Sequence, residues 1–116
     1  MALTVTAVGA PNQNPQASLG IYKVNLFDVT FDSSYATGGE ALTAADLGLT
    51  AVVLVISDPY AKTSSGSTAV GVRYDYTNSK LLAYYATANA SNVAFAEATA
   101  SDNLSTFSVR VMAVGV

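Results

Sequence analysis

The stretch that decides the fold is Ala69-Val70-Gly71-Val72-Arg73-Tyr74-Asp75-Tyr76-Thr77-Asn78-Ser79-Lys80-Leu81-Leu82-Ala83-Tyr84-Tyr85. Val70, Val72, Tyr74 and Tyr76 alternate with Gly71, Arg73 and Asp75, the period of a strand with one buried face. Thr77-Asn78-Ser79 supplies turn residues, and Lys80–Tyr85 runs back, so the whole predicts a β-hairpin.

The same grammar extends in both directions. Towards the C-terminus, Val93–Ala98 reads as a further strand and Ala100–Asn103 as a loop. Thr106–Val114 closes the chain, with Phe107, Val109, Val111 and Ala113 inward. Ser108 and Arg110 then face out, and Met112 and Val114 lie on that same side. Towards the N-terminus, Ser64-Ser65-Gly66-Ser67 is a loop tip, and Thr50–Ser57 is the most apolar run, expected in the centre of the core. Thr43-Ala44-Ala45-Asp46-Leu47-Gly48 reads as one helical turn, capped by Thr43 and ended by Gly48 in a left-handed conformation. Gly38-Gly39 sits in a loop with no Gly-Lys-Ser/Thr after it, so positive φ explains it better than a phosphate cradle.

Ile21–Asp32 is long, and its apolar parity changes. Tyr22, Val24 and Leu26 share one face, while Phe27, Val29 and Phe31 share the other, which predicts a bulge or bend at Leu26–Phe27. Leu3–Val8 alternates as a strand, with Leu3, Val5 and Ala7 on one face. Ala10–Leu19 has prolines and no periodicity, and reads as an extended arm or loop. The fold class is therefore all-β, a small antiparallel β-sandwich or jelly-roll-like barrel with at most one short helical turn. Residues 1–20 form an N-terminal strand and extended arm, and residues 21–116 a single β-domain.

Composition narrows the function. Among 116 residues, 51% are hydrophobic and 11% charged, with a net charge of −3. An average soluble domain is about 25% charged, so copies of this chain repel one another weakly and assembly is favoured. Cys and His are both absent, which removes thiol nucleophiles, thiolate metal sites and every Ser-His or Cys-His arrangement. The basic residues Lys23, Lys62, Arg73, Lys80 and Arg110 are scattered, so no nucleic-acid or anionic-membrane face is expected. The acids Asp28, Asp32, Glu40, Asp46, Asp58, Asp75, Glu97 and Asp102 sit mostly at turns, where such side chains bond local amides. No Asp-x-Asp-x-Asp spacing marks a Ca²⁺ loop. The expectation is no enzyme, no cofactor and no metal. The N-terminus lacks the charged and apolar regions of a secretion signal, so synthesis in a cytoplasm is expected.

Tyrosine combines rigid apolar area with a polar tip, and it is enriched in interfaces. Of the seven tyrosines, Tyr74, Tyr76 and Tyr84 belong to the hairpin as cross-strand pairs. Tyr22, Tyr35, Tyr60 and Tyr85 are candidates for an interface. Leu3, Val5, Pro11 and Pro15 of the N-terminal strand and arm join them.

The block Val29-Thr30-Phe31-Asp32-Ser33-Ser34-Tyr35-Ala36-Thr37-Gly38-Gly39-Glu40-Ala41-Leu42 continues into Thr43-Ala44-Ala45-Asp46-Leu47-Gly48-Leu49. It resembles small structural proteins of tailed bacteriophages and cyanophages, as do Arg73-Tyr74-Asp75-Tyr76 and Asp102–Val111. Position 36 is Ala where the resemblance leads one to expect Pro. Within that group the likeness is to capsid decoration, or cement, proteins. It implies a β-domain on the outer surface of a phage head that clamps major capsid subunits, self-associates as a homotrimer and performs no catalysis. Two rival readings stand beside it. A tail or head–tail completion protein would form rings or tubes, and a carbohydrate-binding module would expose a line of aromatics.

Overall fold

A computed structural model describes residues 3–8, 16–58, 60–62, 69–85, 96–98 and 100–116 of the chain. Pro11 and Pro15 lie outside the described residues, as does the loop tip at 64–67. The described strands are β1 (Thr4–Ala7), β2 (Gln16–Leu19), β3 (Tyr22–Thr30), β4 (Glu40–Ala41), β5 (Val52–Ser57), β6 (Tyr60–Lys62), β7 (Ala69–Asp75), β8 (Lys80–Tyr85), β9 (Ala96–Glu97) and β10 (Ser108–Gly115). They form two antiparallel sheets. In the first, β3 and β5 flank β10, and β1 and β2 both lie on the far edge of β3. In the second, β7 separates β6 from β8, and β4 and β9 share the other edge of β8. The architecture is the expected all-β one of two packed sheets.

The local signals act as read. At the β7–β8 turn, Asp75 Oδ1 accepts from the amides of Thr77 (2.9 Å) and Asn78 (3.2 Å), and Ser79 takes φ 55°. At the helical turn, Thr43 Oγ1 accepts from the Asp46 amide (3.3 Å) while Asp46 Oδ2 accepts from the Thr43 amide (2.9 Å). These are the two reciprocal bonds of a capping box. Gly48 ends that turn at φ 69°, and the Leu49 amide donates back to Ala44 O (2.8 Å). Gly20 stands first in the two-residue β2–β3 loop at φ 64°, the position that a type II′ hairpin turn reserves for glycine.

The core lies between the sheets. Phe27, Val29, Val109, Val111 and Ala113 of the first sheet meet Val70, Tyr74, Leu81 and Ala83 of the second. Phe31, Tyr35, Leu42, Leu47, Leu49, Leu104 and Phe107 of the connections close its ends. Complete burial of one such side chain contributes about 1.5–3 kcal/mol. Asn25, 3% exposed, ties the helical turn to β3 by donating from Nδ2 to Leu47 O (2.8 Å).

Three expectations are corrected. No face switch occurs at Leu26–Phe27, because β3 pairs with β10 in one unbroken register from Thr30 to Lys23. Asn25, Phe27 and Val29 face the core throughout, and Tyr22, Val24 and Leu26 face out. Gln16–Leu19 is not an arm but a strand, held along β3 from Asn25 to Tyr22. β5 is not central: it is an edge strand, and Val53, Leu54 and Ile56 are exposed. In β3 and β5 an apolar residue was assigned to the core although the strand is apolar on both faces, and periodicity does not say which face the second sheet covers; Gln16–Leu19 lacks periodicity altogether and is made a strand by its pairing with β3.

Candidate interaction surface

The outer face of the first sheet is built by register. On β3 the outward residues run Thr30, Asp28, Leu26, Val24, and on β10 they run Ser108, Arg110, Met112, Val114. Antiparallel pairing sets Ser108 against Thr30, Arg110 against Asp28, Met112 against Leu26, and Val114 against Val24. Like therefore meets like along the pair. β5 continues the rows, with Ile56 beside Met112 and Leu54 beside Val114. β2 adds Leu19 beside Tyr22.

The face thus divides into two halves. At the polar end Thr30 Oγ1 donates to Ser108 Oγ (3.1 Å), and Arg110 Nε and Nη2 donate to the two carboxylate oxygens of Asp28 (2.8 and 3.1 Å). This bidentate bond holds the Asp28 carboxyl below its ordinary value and raises that of Arg110. The Arg110 amide donates to Asp58 Oδ2 (2.9 Å), which pins the end of β5 to β10. The other half is apolar and, Val114 apart, in contact with solvent. Leu54 is 41% exposed, Ile56 48%, Leu26 37%, and Ile21 at the β2–β3 turn 81%. These amount to a patch on the order of 600 Å² when Leu19 and Tyr22 are added, at the top of the range for a soluble monomer.

The free edge of β5 borders this patch. The Val55 amide, turned away from β10, donates to the Tyr76 hydroxyl (3.0 Å), so a side chain occupies one place that a further strand would use. Tyr76 is itself 52% exposed and packs edge-on against Tyr74, ring centroids 5.0 Å apart.

The candidates named from sequence fall elsewhere. Leu3 and Val5 are half-buried and packed against the core of their own chain. Tyr22 does border the apolar patch. The side chain of Tyr60 lies outside the described residues. Tyr35 is corrected from surface to interior, because it is 2% exposed. Its hydroxyl accepts from the Ala83 amide (3.2 Å) and donates to Glu97 Oε1 (2.8 Å), which also accepts from the Gly38 amide (2.7 Å). β4 pairs with Lys80 and Leu81, and β9 with Tyr84 and Tyr85. The Tyr35 hydroxyl fills the gap between them and satisfies a donor that no strand reaches. Burial, above all, raises the pKa of Tyr35 far out of reach of ordinary pH. Tyr85 is half-buried and donates to Asp102 Oδ2 (3.1 Å), and burial likewise raises its pKa. Both hydroxyls act as neutral structural donors.

Asp32, Glu40, Asp46 and Asp75 bond locally, as their positions suggested, whereas Asp28, Asp58, Glu97 and Asp102 take partners far along the chain. Asp32 caps the Ser34 amide (2.8 Å), and Glu40, 2% exposed, caps that of Ala36 (2.9 Å). Among the described residues no group of three or more acids could hold a metal ion.

The residues of the apolar patch were missed as a set, although the signals were visible. Met112 and Val114 on the outward side of β10, the second apolar parity in β3 and the unbroken apolar run in β5 all mark strands apolar on both faces. No protein-family model, curated protein or solved structure matches this chain.

Proposed function

We propose that this chain is a structural protein of a virion, a capsid decoration or cement protein that binds the outer surface of a phage head and stabilises contacts between major capsid subunits. The observation that carries the reading is the outer face of the first sheet, where a broad apolar half adjoins a polar half: a face to be covered within an assembly of subunits. Such a face gains by being covered, at about 25 cal/mol for each Å² of apolar surface removed from water. The likeness of Val29–Leu49 to phage structural proteins supplies the kind of partner. The work is mechanical: a small two-sheet body, tied internally through Tyr35, Glu97 and the helical turn, spreads over neighbouring subunits and resists their separation. It needs no cofactor, nucleic acid or membrane.

The test mixes purified protein with phage heads emptied of DNA, sediments them, and raises the temperature until the heads open. Saturable co-sedimentation with a higher opening temperature is the expected result. Heads that neither retain the protein nor gain stability defeat the reading. Light scattering on a sizing column separates the alternatives: three chains fit a trimeric decoration protein, whereas rings of higher order fit a tail or connector part.

A further inference from the structure

We infer that the apolar half of the outer face of the first sheet is the surface by which copies of this chain pack on one another. This deepens the function proposed above and rests on its premise that the face is a docking surface; what it adds is that another copy, not the capsid, covers Leu26, Leu54, Ile56 and Met112.

Area, charge and layout lead to a second copy. A standard interface buries about 800 Å² on each partner, some 65% of it apolar between identical chains. The patch, on the order of 600 Å², supplies that apolar share, and the adjoining polar half supplies the rest as a rim. The charges on the face gather at its polar end, where Asp28 and Arg110 are bonded to each other at 2.8 Å and Asp58 stands beside Arg110. Two copies meeting by the apolar half keep these charges at the rim, in water, and assembly meets little electrostatic resistance. A foreign partner held by charge would find little on the apolar half to recognise.

The layout also suits a symmetry axis. The apolar residues gather towards the end of the sheet that holds the β2–β3 turn, the start of β5 and the end of β10, and the polar pairs gather towards the opposite end. When copies are related by an axis near the apolar end, apolar halves meet apolar halves and polar halves fall outside. Closed homo-oligomers are built in this way.

The experiment measures solution mass by light scattering over about a hundredfold range of concentration, for wild type, L54K/I56K, and R73E on the opposite sheet. Leu54 and Ile56 lie on an edge strand with their side chains in solvent, and far-UV circular dichroism checks that the fold is kept. Leu26→Gln, which adds no charge, provides a second variant should the lysines disturb folding. Wild type and R73E should have masses of several chains, and both face variants should fall towards one chain. For L54K/I56K self-association should weaken by about a hundredfold or more, because buried lysines would lack partners. A wild type that stays monomeric, or folded face variants that assemble as wild type does, overturns the inference. Heads separate it from the parent reading. A monomeric wild type that binds heads sinks this inference and leaves the capsid role intact. An assembled wild type that ignores heads does the reverse. Face variants that stay assembled but lose head binding would assign the patch to the capsid and overturn the inference.

Discussion

Removing one oxygen atom, with Tyr35→Phe, tests how the second sheet is held together. The ring keeps its place in the core, and only the hydroxyl is lost. The Ala83 amide then has no acceptor, and Ala83 is 0% exposed, so water cannot replace the bond. An unsatisfied buried donor costs about 1–3 kcal/mol. Glu97 loses a donor as well but keeps the Gly38 amide at 2.7 Å, so this part adds about 1 kcal/mol. The expected destabilisation is about 2–4 kcal/mol. With an m-value of about 2 kcal/mol/M, the urea midpoint should fall by roughly 1–2 M. Tyr76→Phe is the matched control. It removes a hydroxyl that also accepts a backbone amide, but at the exposed edge of β5, where water takes its place; its cost should stay near 0.5 kcal/mol or less. Should Tyr35→Phe unfold within about 0.5 kcal/mol of wild type, like Tyr76→Phe, the Tyr35 hydroxyl is not bridging the gap between β4 and β9.

Other parts of the structure make their own demands. A Cβ on Gly115 would strike the carbonyl oxygen of Ala51 and come within 2.9 Å of Leu49 Cδ1; Gly115→Ala should cost about 2–4 kcal/mol, read as a lowered melting temperature. Gly20 has open space around its Cβ position and φ 64°, so Gly20→Ala should cost about 1–2 kcal/mol through backbone strain alone, read as a lowered melting temperature. Asp28 and Asp75 have pKa values below the ordinary 3.8 through bonds to Arg110 and Asn78. Their contribution is complete above the unfolded value and is lost as pH falls through the lower folded value. Melting temperature should therefore decline below about pH 4, and Asp28→Asn should flatten that decline, most clearly at low salt. A decline of the same slope in Asp28→Asn would show that the Arg110 pair contributes nothing to it.

What the sequence determined by itself is what neighbours along the chain decide. The β7–β8 hairpin follows from Asp75, Asn78 and Ser79 within five positions, and the helical turn from Thr43, Asp46 and Gly48 within six. Gly38 and Gly39, read as needing positive φ, have 91° and 103°. The acids were expected to serve local amides, and Asp32, Asp46 and Asp75 do. Each of these depends on bonds that a few residues close among themselves. Tertiary structure decided which apolar residues lie inside. β5 is apolar at nearly every position whether it is central or at an edge, and its place was settled by β10, which enters the sheet between β3 and β5 from the far end of the chain. The Asp28–Arg110 bond joins residues 82 positions apart, and Tyr35 finds the Ala83 amide 48 positions away. Hydrophobic periodicity records how many faces of a strand avoid water. Which face another part of the same chain covers, and which is left open, depends on pairings made across the whole domain.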